Sequence, residues 1–163
     1  MKSVHRRDRF RERTRSAMLR PATESIASEP LERPIHQETP MRPNPVKTRL
    51  AEGGLVYGTM IFEFATPGLP TILSQAGADY ALYCMEHTGF SVDEMKRQFQ
   101  YCRAAGIIPI VRPPDKSYAT AALLLDIGAM GFMFQMVESA SEAREIVSWP
   151  KSPPQGKRGA MFG

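Results

Sequence analysis

Asp79-Tyr80-Ala81-Leu82-Tyr83-Cys84-Met85-Glu86-His87-Thr88-Gly89 decides the reading of this chain. An apolar run through Met85 ends abruptly in a carboxylate and an imidazole, and a glycine follows. The pattern returns one unit later, where Ile107-Ile108-Pro109-Ile110-Val111 ends in Arg112 and then Pro113-Pro114. Short apolar runs bounded by turn residues read as strands buried on both faces, the habit of parallel sheets. Polar groups at the carboxyl ends of such strands are where α/β barrels and open α/β sheets place their chemistry. Two successive strands therefore deliver a candidate base, His87, and a permanent cation, Arg112, to one rim.

The same grammar extends in both directions. Residues 55–62 alternate loosely and read as the first strand, followed by a short helix over 68–76 with Leu69, Ile72 and Leu73 on one face and Gly77 as its stop. The second strand is expected over 79–85. Ser91, with Asp93 and Glu94 in the first turn behind it, predicts a helix that runs to Ala105 and ends at Gly106. A third strand over 107–112, a helix over 117–127 ended by Gly128, a fourth strand over 131–137 and a helix from Ser139 or Ser141 through Val147 complete the series. Trp149-Pro150 and Pro153-Pro154 then enforce an irregular segment. Four strand–helix units at this spacing predict an α/β fold with a parallel sheet and right-handed crossovers. Phe62, Phe64, Met133 and Met136 read as core rather than pocket lining.

The chain has 163 residues, short of the roughly 250 of a full eightfold barrel. No apolar run approaches the roughly 20 residues of a membrane span, and the N-terminus lacks the apolar core of a signal peptide. Cys84 and Cys102 are the only cysteines, and both fall inside expected elements, which points to reduced thiols in a cytoplasmic protein. Residues 1–20 carry eight Lys or Arg against Asp8 and Glu12, whereas the whole chain is only +4. The basic balance thus belongs to the arm. With prolines at 21, 30, 34, 40 and 43 and no sustained periodicity, residues 1–43 are expected to form a disordered basic arm, and residues 44–163 the folded unit. Only Phe10 interrupts the arginines, so a stacking platform for nucleic acid is not expected, and no membrane partner is.

Several segments, GTMIFEFATPG, MEHTGFS, IPIVRPP, LLLDIGAMGFMFQMVESASEARE and KSPPQGKRG, occur in an order and spacing that resemble the HpcH/HpaI aldolase/citrate lyase family. The resemblance runs from about residue 44 to 163. It implies the first four βα units of a (β/α)8 TIM-type barrel, that is, an N-terminal half barrel. It also implies a divalent metal (Mg2+, Mn2+ or Co2+), a keto-acid substrate, and reversible cleavage to pyruvate and an aldehyde. By the same resemblance His87 is the catalytic base, Asp126 the acid paired with it, and Arg112 the cation facing the C2 oxygen of a pyruvate-type substrate. Glu86 lies near the metal and substrate, and Arg158 either anchors its loop or faces the site. The family's metal ligands are expected beyond Gly163, so no metal ligand set is expected within this chain. The family is also expected to assemble as a homo-oligomer. Two departures stand out: Cys84 where the family usually carries Asp, and Gln135 where Pro is common.

Each of these residues also has a structural reading. His87 could be a strand-end histidine satisfied locally, Asp126 a surface acid closing a helix, and Arg112 and Glu86 partners in an ion pair. At the level of the whole chain three functions stay open. One is an aldolase or its N-terminal half, needing a complementary half-barrel chain. Another is an inactive truncated remnant. The third is a nucleic-acid binder driven by the arm.

Overall fold

The computed structural model describes residues 42–159, so the arm expected over 1–43 lies outside the described residues except for its last two positions. The first element is a helix that sequence reasoning passed over, α1 (Pro45–Ala51). Its signal is local: the Asn44 side chain accepts from Lys47 N at 3.1 Å, and Pro45 occupies a first-turn position where its missing N–H costs nothing. The Asn44 amide also donates to Met130 O at 3.2 Å, which pins the helix against the fourth unit.

Eight further elements alternate: β1 (Gly58–Ile61), α2 (Leu69–Gln75), β2 (Tyr80–Cys84), α3 (Val92–Ala105), β3 (Ile108–Arg112), α4 (Tyr118–Asp126), β4 (Gly131–Phe132) and α5 (Ala140–Ser148). The four strands form one parallel sheet in the order β1-β2-β3-β4. Right-handed crossovers between consecutive strands in that order put the connecting helices α2, α3 and α4 on one side of the sheet. This is the wall of a TIM-type barrel over four of its units. The helix-facing residues Ile61, Ala81, Tyr83 and Val111 pack with Met95, Phe99, Cys102 and Leu124 in the main core. A smaller cluster joins Ala121, Ile146 and Trp149 with Phe132 and Phe134. Residues one register step away, including Cys84 and Arg112, face the other side of the sheet.

The best-specified helix is α3. The Ser91 hydroxyl accepts from Glu94 N at 3.2 Å, and the Glu94 carboxylate accepts from Ser91 N at 2.8 Å, a reciprocal cap. Met95, Gln98, Phe99 and Cys102 recur at helical spacing and are all buried. Gly106 then adopts φ 73°, the left-handed conformation that stops the helix. Pro109 sits inside β3 without a lost bond. Its carbonyl accepts from Met130 N at 2.9 Å, one residue before β4 begins, so no strand carbonyl faces its missing N–H.

Two expectations need correction. The fourth strand, expected over 131–137, has only two residues. Met133 N still donates to Val111 O at 3.0 Å, but past Arg112 the neighbouring chain is Pro113-Pro114, which has no N–H to extend a ladder. Phe62, Phe64, Met133 and Met136 are not core: all four are exposed, Phe64 and Met136 to 71% each. They lie beyond the last paired residues of β1 and β4, where no layer of the described residues covers them. Among the described residues no helix is long and apolar enough to cross a membrane.

Candidate active site

The carboxyl ends of β2 and β3 are held in step. Cys84 is the register partner of Arg112, and Met85 N donates to Arg112 O at 2.8 Å. The next residues turn sharply. The Thr88 hydroxyl donates to Cys84 O and accepts from Phe90 N at 3.3 Å, so residues 84–90 fold back over the strand end. That turn projects Glu86 and His87 from the rim.

Glu86 is the hub. Its Oε2 lies 3.1 Å from Arg112 Nε and 3.3 Å from His87 Nε2. Arg112 is the inner member, its side chain 14% exposed, while His87 is the outer member at 61%. Arg112 has a second contact: Nε and Nη2 both donate to Cys84 Sγ, at 3.2 and 3.0 Å. Nη1 has no partner among the described residues. Outside this hub an open cleft of about 530 Å³ is lined by Phe62, Glu63, Glu86, His87, Thr88 and Phe90, among others. The arrangement joins a solvent-facing imidazole to a nearly buried guanidinium through one carboxylate. An imidazole so placed can take or give a proton, and a guanidinium so placed can receive a developing anion.

Asp126 and Arg158 are brought to each other rather than to this rim. Asp126 closes α4, which runs antiparallel to the strands, so its backbone lies toward their amino ends. Its carboxylate, 60% exposed, sits 3.1 Å from Arg158 Nη2. The Tyr118 hydroxyl meanwhile donates to Lys157 O and accepts from Gly159 N, each at 3.1 Å. Residues 157–159 are thereby strapped along α4. Within one chain Asp126 does not meet His87, and Glu86 occupies the place beside the imidazole.

Residues 59–161 match the profile of the HpcH/HpaI aldolase/citrate lyase family. The chain belongs to that family. A 2-keto-3-deoxy-L-rhamnonate aldolase of Shigella dysenteriae serotype 1 is 32% identical over 116 residues, which cover 71% of this chain and 43% of the relative. The solved HpcH/HpaI aldolase of Desulfitobacterium hafniense DCB-2 is 37% identical with a TM-score of 0.69, covering 72% of this chain and 45% of that one. The solved citrate synthase SbnG is 28% identical with a TM-score of 0.65, over 71% and 46%. The chain thus spans about 43% of the length of the curated relatives it matches.

Members of an aldolase family invite a metal, and the residues of this rim do not fit one. A hard dication takes six or more oxygens in Ca2+ sites and near-ideal octahedral oxygens in Mg2+ sites. Among the described residues no three of His, Cys, Asp and Glu are grouped so that they could hold a metal ion, and Glu86 Oε2 is already shared by two cations or potential cations. Two rim features stood out in the sequence only as departures from the family pattern, with no contact assigned to them. Cys84 was visible only as a departure from the family, although two five-residue strands ending together place it beside Arg112. Gln135 donates from Nε2 to Pro113 O at 3.3 Å, and its Oε1 is buried without a partner among the described residues.

Proposed function

We propose that this chain supplies the base-and-cation rim of a carbon–carbon lyase that cleaves a 4-hydroxy-2-oxo or 2-keto-3-deoxy acid to pyruvate and an aldehyde. The observation that carries the reading is the shared Glu86 carboxylate, which couples His87 to Arg112 at the carboxyl ends of adjacent strands. With Nε2 turned to that carboxylate, a neutral His87 keeps its proton there and offers Nδ1 as the acceptor. The imidazole takes the proton of the C4 hydroxyl. The C3–C4 bond breaks, C4 leaves as the aldehyde, and the electron pair passes through C3–C2 to the C2 oxygen. Arg112 donates to that oxygen as it becomes an enolate. A proton returned to C3 completes pyruvate, and the reverse sequence forms the bond. A divalent ion, Mg2+, Mn2+ or Co2+, would polarise the keto acid, and its ligands would come from outside the described residues. On this reading Glu86 does the orienting expected of Asp126, and Arg158 holds a loop.

The test is pyruvate release from a 2-keto-3-deoxy sugar acid by the full chain with Mg2+ or Mn2+. Arg112→Ala should lower the rate by about 10²–10³, as loss of an oxyanion donor does elsewhere, and His87→Ala by about 10²–10⁴, the usual contribution of a general base. Unchanged rates in either variant would sink the assignment. A second reading, that the chain is silent alone and needs a complementary half-barrel chain, is favoured by the exposure of Phe64 and Met136 at the same rim. It predicts no pyruvate from the chain alone and recovery when the complementary units are supplied as a separate polypeptide.

A further inference from the structure

We propose that Cys84 is a positioning residue for Arg112, holding the plane of the guanidinium at the rim; what that guanidinium binds rests on the keto-acid reading above. Three observations support it. The sulfur is fully buried, and Cys84 is an unbridged cysteine. It accepts from two nitrogens of one guanidinium, Nε at 3.2 Å and Nη2 at 3.0 Å, well inside the range for a sulfur acceptor. The register makes the contact obligatory, because the two residues are paired and face the same side of the sheet.

The geometry divides the work of holding Arg112 between an ion-pair partner and a hydrogen-bond acceptor. Glu86 Oε2 meets Nε from the loop side and brings a full charge. Cys84 meets Nε and Nη2 together from the strand below, fixing the plane of the fork. With the fork held this way, the guanidinium leaves Nη1 without a protein partner among the described residues. The ligand that matches is a small planar carboxylate with a second oxygen beside it, a 2-oxo acid or its enolate. Cys84 touches neither substrate nor reacting atoms in this arrangement, and acts only through Arg112.

The experiment uses the full chain and two readouts. The first is solvent exchange of the Arg112 Nε–H by 15N-edited NMR, with the Nε–H of Arg49, paired to Asp79 at the other end of the sheet, as internal control. The second is the affinity for oxalate, a stable planar mimic of an enolised 2-oxo acid, by calorimetry. Cys84→Ala should speed Arg112 exchange about tenfold or more and weaken oxalate by a similar factor, with Arg49 unchanged. Cys84→Ser should restore part of the protection through its hydroxyl, and guards against a variant that simply packs badly. Cys84→Asp, which puts another acceptor at the same place, should keep Arg112 protected. Arg112 exchange unchanged in both Cys84→Ala and Cys84→Ser would overturn the proposal. If exchange follows Cys84 but the wild-type chain binds no oxalate, the positioning role stands and the keto-acid reading is what fails.

Discussion

Gln98 shows how one side chain can tie a loop to a core. It is buried on α3, accepts from the Tyr83 hydroxyl at 2.9 Å and donates to Ala65 O at 2.6 Å. The Ala65 carbonyl belongs to the loop that carries Phe62 and Glu63 into the cleft. Burial around this pair raises the Tyr83 hydroxyl above its ordinary range and pushes the Cys102 thiol up to about 11, so both stay protonated at neutral pH. Gln98→Ala should therefore cost about 1–3 kcal/mol, because it leaves the Tyr83 hydroxyl with only the weak Cys102 contact. Thermal unfolding would measure the loss, and faster amide exchange at residues 64–66 would show the loop released. A melting temperature within error of the parent would refute it. At this scale the sequence displayed residue types and strand ends, and His87, Glu86 and Arg112 were legible from them. Partners distant in sequence were not: Asp126 finds Arg158, 32 residues on, because a loop is strapped along α4, and no local pattern announces that.

Element boundaries were legible where a serine opens a helix of the alternating series, whereas the Asn44 cap of α1 was passed over. Ser91 accepts from the backbone three residues on as expected, Ser139 does so where Ser141 was the alternative, and Ser117, expected only as the first residue of its helix, does too, so these three helix starts were legible. The fourth strand was not, since its length depends on prolines in a neighbour rather than on its own apolar residues. Two caps also make the fold sensitive to acid. Glu94 lies below its ordinary 4.5 because of its bond with the Ser91 backbone, and Glu142 because of its bond with Lys116. Carboxylates lowered in the folded state contribute above their ordinary value, and that contribution is lost as pH falls through the folded one. The melting temperature should accordingly drop below pH 4.5, and Glu94→Gln should flatten that limb; an identical acid limb in the variant would contradict the cap argument. Ser91→Ala should cost about 1 kcal/mol at neutral pH. Phe99→Ala, in the buried stripe of the same helix, should cost about 3–5 kcal/mol, read from denaturant midpoints.

For the molecule as a whole, the four βα units and their single sheet could be read from the alternation of apolar runs and caps, because each unit is built from contacts within itself and with the next. What faces the other side of the sheet could not. Patterning says that a side chain is apolar, and Phe64 and Met136 are, but exposure depends on which layers are present to cover them. The two-residue β4 has a further consequence, for how this sheet meets other strands. Backbone groups on a margin strand are a template for pairing with another chain, and the strength of that template grows with its length and flatness. β1 offers four residues with Leu55 and Tyr57 exposed just ahead of it, whereas β4 offers two and then breaks away at Met136 with φ 47°. Self-association should thus be polar, growing from the β1 margin and starving at β4. A lysine at Thr59 should raise the monomer fraction in sedimentation velocity, and a lysine at Met133 should leave it unchanged; equal effects from both would show that the two margins template alike.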